Sequence, residues 1–271
     1  LSDGSTSTTY CTIQDAVDNA SSGNTIDVSA GTYDEAVNID KSLTLNGANM
    51  GVVACGGSRS AETRKLGYIR VDASDVTIDG FQFFDGANVP AGELAAIEII
   101  GGKSNITLRN NIFERNGGTP TFDDSRGIIN DFGGVTNLLV ENSSFRGWQN
   151  GIYLQNADQT NIIYNCLDNN MAGLSADFPI AVTIEFNDFT NNKLEGIGAF
   201  DNGMPGIMLV HNNNIFDNTA GITNYASTSF EIDATSNWWG DASGPNGQGP
   251  RTGDTATGNI DFCPWLNDEV G

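Results

Sequence analysis

Apolar residues along the chain follow a short alternating pattern that returns at near-regular intervals. Each instance alternates apolar and polar positions, reaches a polar residue that is mostly Asn, and closes on an aromatic residue or Leu. The instances are VTIDGF (76–81), ITLRNNIF (106–113), LLVENSSF (138–145), NIIYNCL (161–167), VTIEFNDF (182–189), NNNIF (212–216) and ATSNWW (234–239). Their closing residues, Phe81, Phe113, Phe145, Leu167, Phe189, Phe216 and Trp239, are separated by 32, 32, 22, 22, 27 and 23 positions. The basal period is therefore 22, with insertions in the longer units. A second mark follows in each unit, at Gly127-Ile128, Gly151-Ile152, Gly173-Leu174, Gly196-Ile197 and Gly221-Ile222.

A unit of this length with about three period-2 runs is not a helical repeat, which needs more residues and a 3.6 pattern. The leucine-rich alternative fails because its LxxLxLxxN pattern is missing. The spacing predicts an all-β solenoid in which each coil pairs with the one above and below, with Gly and Asn at corners where a left-handed backbone is cheap. Columns follow from the period. Phe113, Phe145, Leu167 and Phe189 stack inside, as do Ile128, Ile152, Leu174, Ile197 and Ile222, while Asn169, Asn191 and Asn218 form a polar corner ladder.

Residues 12–21 carry Ile13, Ala16, Val17 and Ala20 at helical spacing, which predicts a short amphipathic helix over the open first coil. The reading is a single domain over 1–271, with an N-terminal cap (1–24), coils (25–239) and a C-terminal capping loop (240–271) anchored by Trp265 and Leu266.

The opening YCTIQDAVDNASSGNTIDVSAGTYDEAVNIDKSLTLNGAN (10–49) resembles that of the pectin-lyase-like right-handed parallel β-helix proteins. The stretches SNWWGDASGP (236–245) and GNIDFCPWL (258–266) resemble the ending of many secreted and cell-surface members. This resemblance implies a single-stranded right-handed parallel β-helix of about eight or nine coils. It leaves function open, because the fold carries lyases, hydrolases, epimerases, adhesins and structural proteins.

Charge narrows the partners. With 34 acidic against 12 basic residues the net charge is −22, which disfavours nucleic acid and anionic membranes, and a polyuronate unless calcium bridges. No apolar run reaches the roughly 20 residues that span a bilayer. The sequence starts at Leu1 with no signal peptide visible, so it is read as a processed or trimmed product. Cys11 and Cys55 flank the first structural unit, a placement that predicts a disulfide closing it; Cys166 is expected as a small buried side chain. Three Asn-x-Ser/Thr sequons, at Asn19, Asn105 and Asn142, decide nothing in so Asn-rich a chain.

Candidate chemistry is sparse. The polygalacturonase-like set is incomplete: Asp123-Asp124 is present, no Gly-His-Gly exists, and the only histidine, His211, precedes a polar corner. Arg109 with Glu141, and Glu114 with Arg146, fall 32 residues apart and are expected as cross-coil ion pairs. Arg59, Arg64, Lys65 and Arg70 read as an early solvated loop. Insertions are the better guide, since loops on a rigid scaffold carry function. Segments 85–93 and 116–126 enter at the same point of successive coils, and 199–205 is a third insertion offering Phe200 and Met204. A cleft beside them is expected to hold Asp123, Asp124, Arg126, Arg146, Trp148 and Tyr153, with Trp148 and Tyr153 as an exposed sugar-stacking platform. Asp123, Asp124 and Asp131 are candidate calcium ligands.

The function this supports is a secreted or surface-displayed protein in glycan binding, adhesion or extracellular structure, with a polysaccharide or cell-surface glycan as partner. The alternatives are a polysaccharide lyase or glycoside hydrolase working near Trp148, and a self-assembling extracellular subunit. For the core, Phe145→Ala is expected to cost about 3–5 kcal/mol in thermal or denaturant unfolding, as truncating a stacked buried aromatic does.

Overall fold

The computed structural model describes residues 9–57, 59–84, 94–200, 206–226, 230–247 and 251–271. The insertion 85–93 and Met204 lie outside them. Short parallel strands wind into a β-helix whose three sheets hold 11, 8 and 10 strands among the described residues. The first sheet carries strands such as Lys103–Arg109, Val135–Glu141 and Ala181–Glu185. The second carries Ile112–Glu114, Ser144–Arg146 and Asp188–Thr190. The third carries Ser125–Asn130, Asn150–Gln155, Ala172–Asp177 and Glu195–Phe200.

Pairing between coils fixes the columns. Phe83, Phe113, Phe145, Leu167, Phe189 and Ile215 lie in register through the second sheet. The Phe83, Phe113 and Phe145 rings stack at 4.8 and 4.5 Å. The column thus uses Phe83 and Ile215 where the motif spacing pointed to Phe81 and Phe216; Phe81 is also buried, and Phe216 falls one position past the inward one. In the third sheet Ile97, Ile128, Ile152, Leu174, Ile197 and Ile222 stack in register.

Two polar ladders hold the corners. Between the first and second sheets, Asn165, Asn187, Asn213 and Asn237 pass side-chain amide hydrogen bonds from coil to coil at 2.9–3.0 Å. Between the second and third sheets the ladder is Asn170, Asn192 and Asn218, with bonds of 3.3 and 2.8 Å. The predicted Asn169 and Asn191 sit one residue earlier, in left-handed backbone at φ 53° and 56°. In each Asn-Asn pair the first residue turns the chain and the second enters the ladder, where its Nδ2 also satisfies backbone carbonyls that no strand reaches.

The helix Ile13–Asn19 seals the first coil against the strand Val37–Ile39 and buries Ile13, Ala16 and Val17. The Thr12 hydroxyl accepts from the Asp15 amide, and the Glu35 carboxylate accepts from the Ile13 and Gln14 amides at 2.9 Å each.

Three expectations are corrected. The disulfide joins Cys55 to Cys166, not to Cys11, whose thiol is free and exposed. Residues 47–57 and 59–62 leave the second coil as a strap along the first corner. There Ala54 N–H donates to the Asn142 carbonyl at 3.0 Å, and an Arg59 guanidinium N–H donates to the Asn110 carbonyl at 2.6 Å. This reach across several coils places Cys55 beside Cys166, a contact that sequence separation hides. Secondly, residues 63–71 form two strands rather than a solvated loop, and Lys65 is wholly buried at the foot of the aromatic column. Its ammonium donates to the Glu35 and Leu66 carbonyls, and burial lowers its pKa to about 8 despite Glu35 and Asp34 nearby. Thirdly, Arg109 and Glu141 are in register, as are Glu114 and Arg146, yet Arg109 bonds to Asp79 at 2.8 Å and Arg146 faces Asp168 at 3.7 Å.

The second ladder ends on a carboxylate: Asp254 accepts from the Asn218 side chain and backbone at 2.8 and 3.0 Å. Burial raises the Asp254 pKa to about 6, more than the Asn218 bonds lower it. Its pKa is higher folded than unfolded, so native protein binds the extra proton between about pH 4 and 6, and stability falls as pH rises through that window. Asp254→Asn keeps the acceptor without the charge. The variant should gain about 1–2 kcal/mol at pH 7, discounted for partial exposure, and lose this pH slope in denaturant titrations.

Candidate binding groove on the third sheet

Three columns face outward from the third sheet and carry the polar chemistry; the first lies three residues before the second, because the alternation breaks at the buried Gly or Ala that precedes each inward Ile or Leu. The first column runs Ala95, Arg126, Asn150, Ala172 and Glu195. The second runs Glu98, Ile129, Tyr153, Ser175 and Gly198, and the third includes Gln155, Asp177 and Phe200. Two adjoining cavities lie over this face. One, of about 400 Å³, is lined by Glu98, Asp124, Arg126, Asp131, Phe132 and Tyr153. The other, of about 560 Å³, shares Arg126 and Tyr153 and continues over Asn150, Asp177, Glu195 and Phe200.

At the centre the Tyr153 hydroxyl donates to the Asp177 carboxylate and accepts from Gln155 Nε2 at 3.2 Å. Arg126 lies over the Tyr153 ring, 4.9 Å from its centroid, and donates to the Asp124 carbonyl at 2.8 Å. One coil further on, Glu195 is 2% exposed and accepts from the Tyr225 hydroxyl at 2.9 Å. It lies over Gly198, where any Cβ would overlap its Oε1. Phe200 and Tyr225 stack at 4.5 Å along the rim. Burial raises the Tyr153 pKa to about 12, helped by Asp177, and burial also raises Tyr225, helped by Glu195. Burial raises Asp177 against the bonds from Tyr153 and Gln155, and raises Glu195 against those from Tyr225 and Thr223. The groove therefore presents two neutral phenols and two carboxyls whose burial favours the protonated form.

The sequence-derived candidates divide. Asp124, Arg126 and Tyr153 line the groove together. Asp123 stands behind it, bound to Arg115 at 2.8 Å and Thr121 at 2.9 Å. Burial pushes its carboxyl up, but bonds from Ser125, Arg115 and Thr121 outweigh that and hold it below the ordinary value. Arg146 is on the second sheet, outside the groove, with its side chain 55% exposed. Trp148 is corrected outright: it is 2% exposed within the core, its amide bonded to the Asn170 side chain at 3.1 Å and its ring under Arg115. It sits in the corner turn between the strands Ser144–Arg146 and Asn150–Gln155, is buried, and cannot form a platform with Tyr153. Among the described residues no group of three or more His, Cys, Asp or Glu is placed to hold a metal ion. His211 bridges Glu185 and Asp233 on the first sheet, away from the groove.

Sequence reasoning missed Gln155, Asp177, Glu195 and Tyr225. Their signal was positional: Gln155, Asp177 and Tyr225 lie three residues past the inward Ile or Leu of their coils, and Glu195 two before.

This architecture defines a parallel β-helix protein with a polar groove on one flat face. The chain belongs to the right-handed β-helix family, whose model, the right handed beta helix region, matches residues 1–238. Among solved structures it is similar to the A-module of the mannuronan C-5 epimerase AlgE4 from Azotobacter vinelandii. The two share 16% identity at a TM-score of 0.54, over 82% of this chain and 71% of that one, a likeness of fold. No curated protein matches the sequence. No described helix is long and apolar enough to cross a membrane.

Because Trp148 fills core volume, Trp148→Ala should cost about 3–5 kcal/mol of unfolding free energy. An unchanged melting curve would contradict its placement.

Proposed function

We propose that the chain is a glycan-binding β-helix protein of the cell surface or extracellular space, and that a polysaccharide lies across the third-sheet groove. The observation that carries this reading is the convergence of Arg126, Tyr153, Asp177 and Gln155 with the Phe200–Tyr225 rim in one open trough. Sugar recognition needs this mixture: ring surfaces for CH-rich faces and fixed donors and acceptors for hydroxyls. Glu98, Asp124, Asp131, Asp177 and Glu195 outnumber the single Arg126 among the groove-lining residues. With the net charge of −22, that balance favours neutral or cationic glycans over polyuronates.

A second reading, a polysaccharide-cleaving enzyme, draws on the raised Asp177 and Glu195 carboxyls beside Tyr153, because general acids are tuned by such burial. New reducing or unsaturated ends appearing in a glycan incubated with the protein would favour it.

Affinity electrophoresis against neutral, cationic and uronate polysaccharides tests the binding reading. Tyr153→Ala and Arg126→Ala should each weaken retention at least tenfold, whereas Arg146→Ala on the second sheet should leave it unchanged. Retention by no polymer, or retention indifferent to Tyr153 and Arg126, would contradict the assignment.

A further inference from the structure

From the third coil on, the corner between the first and second sheets repeats one backbone position, a left-handed residue just before the ladder. Asn110, Asn142 and Asn212 take it at φ 55°, 51° and 55°, and Ser236 at 60°. Short polar side chains tolerate this conformation, because they hydrogen-bond locally. Two neighbouring coils depart from the rule: Tyr164 and Phe186 hold the same position at φ 56° and 57°. A bulky side chain is strained there, and such strained residues cluster at ligand clamps and active sites. The ladder does not require them, since Asn165 and Asn187 follow as elsewhere.

The two rings stack at 5.0 Å and 9°, yet remain 50% and 37% exposed. They line a notch of about 260 Å³ on the far side of the molecule from the third-sheet groove. One wall is the strap, at Val53 and Cys55, pinned by the disulfide to Cys166. The other is the C-terminal segment at Val270, which exchanges hydrogen bonds with the Asn214 side chain at 2.8 and 3.1 Å. The Asp188 carboxylate and Asn214 amide, bonded to each other at 2.7 Å, form the polar floor.

We propose that this notch is a second carbohydrate site, taking one ring of a neutral glycan between strap and C-terminal segment, with Tyr164 and Phe186 against the sugar and Asp188 and Asn214 receiving its hydroxyls. The volume admits a single ring. The aromatic share of the wall suits an apolar sugar face, and one carboxylate with no basic residue among the lining groups disfavours an anionic sugar. The site stands apart from the groove and does not depend on it.

The test uses the residue that the other coils supply. Tyr164→Asn/Phe186→Asn restores the ladder-side consensus, so it should melt at or above the wild-type temperature while losing the site. A Tyr153→Ala background weakens groove binding at least tenfold. There, mannohexaose and cellohexaose should shift the Tyr164 and Phe186 ring resonances, a hexameric oligomannuronate should shift them less, and the double Asn variant should show at least a tenfold loss of affinity. A double variant that melts several degrees lower would make the pair structural packing for the strap. Unmoved rings at millimolar hexasaccharide, or a response to the oligomannuronate alone, would equally overturn the proposal.

Discussion

Parallel pairing between successive coils governs this molecule. Each strand must satisfy its backbone N–H and C=O groups on the coils about 4.8 Å above and below, so every coil repeats the path of its neighbour. Side chains then fall into columns whether or not function uses them. At the corners, where strands end, backbone groups still need partners in a dry interior. The Asn165–Asn187–Asn213–Asn237 and Asn170–Asn192–Asn218 ladders supply them, each amide serving a carbonyl of its own turn and an oxygen of the next coil. Extra residues are accommodated by looping outward, which is how the strap at 47–57 and 59–62 and the segment 116–124 arise.

That regularity makes departures informative. In the first outward column of the third sheet, Glu195 follows Ala172, and its carboxyl lies over Gly198, where a Cβ would overlap it. In the second, Tyr153 stands between Ile129 and Ser175, and its hydroxyl finds Asp177 on the next coil. Each adds a coil-to-coil hydrogen bond that the repeated backbone pairing does not require. Burial raises both carboxyls, Arg126 near Asp177 only partly offsetting it, the pattern expected where a protein holds chemistry rather than cohesion. The proposed groove and the proposed notch are both read from such deviations.

Much of the fold was legible because the constraint is periodic. The recurrence of Phe113, Phe145, Leu167 and Phe189 at 32, 22 and 22 positions, and the Gly-Ile mark, locate the inner columns directly. Legibility failed wherever a one-residue choice separates inside from outside. Phe81 and Phe83 both satisfy the motif, as do Ile215 and Phe216, and only pairing decides between them. Trp148 looks like a surface aromatic beside Arg146, yet the turn at Gly147, φ 84°, brings it inward. The disulfide was hidden for another reason: the strap leaves its own coil, so Cys55 meets a residue 111 positions away that no column predicts. Of the candidate site, the Asp124–Arg126–Tyr153 half was visible because the insertion marks it. The Asp177–Glu195–Tyr225 half carries no insertion and emerges only from register.

The central claim is that a polysaccharide chain lies across the third-sheet face, the corner notch taking no more than a single ring. Hydrogen exchange of the wild-type protein, followed by mass spectrometry with and without a polysaccharide that it retains, tests this most directly. The account predicts added protection in peptides covering residues 122–132, 149–155, 172–178 and 195–200, with the first-sheet segments 103–109 and 181–185 unchanged. Protection spread over the first sheet, or none on the third, would contradict it.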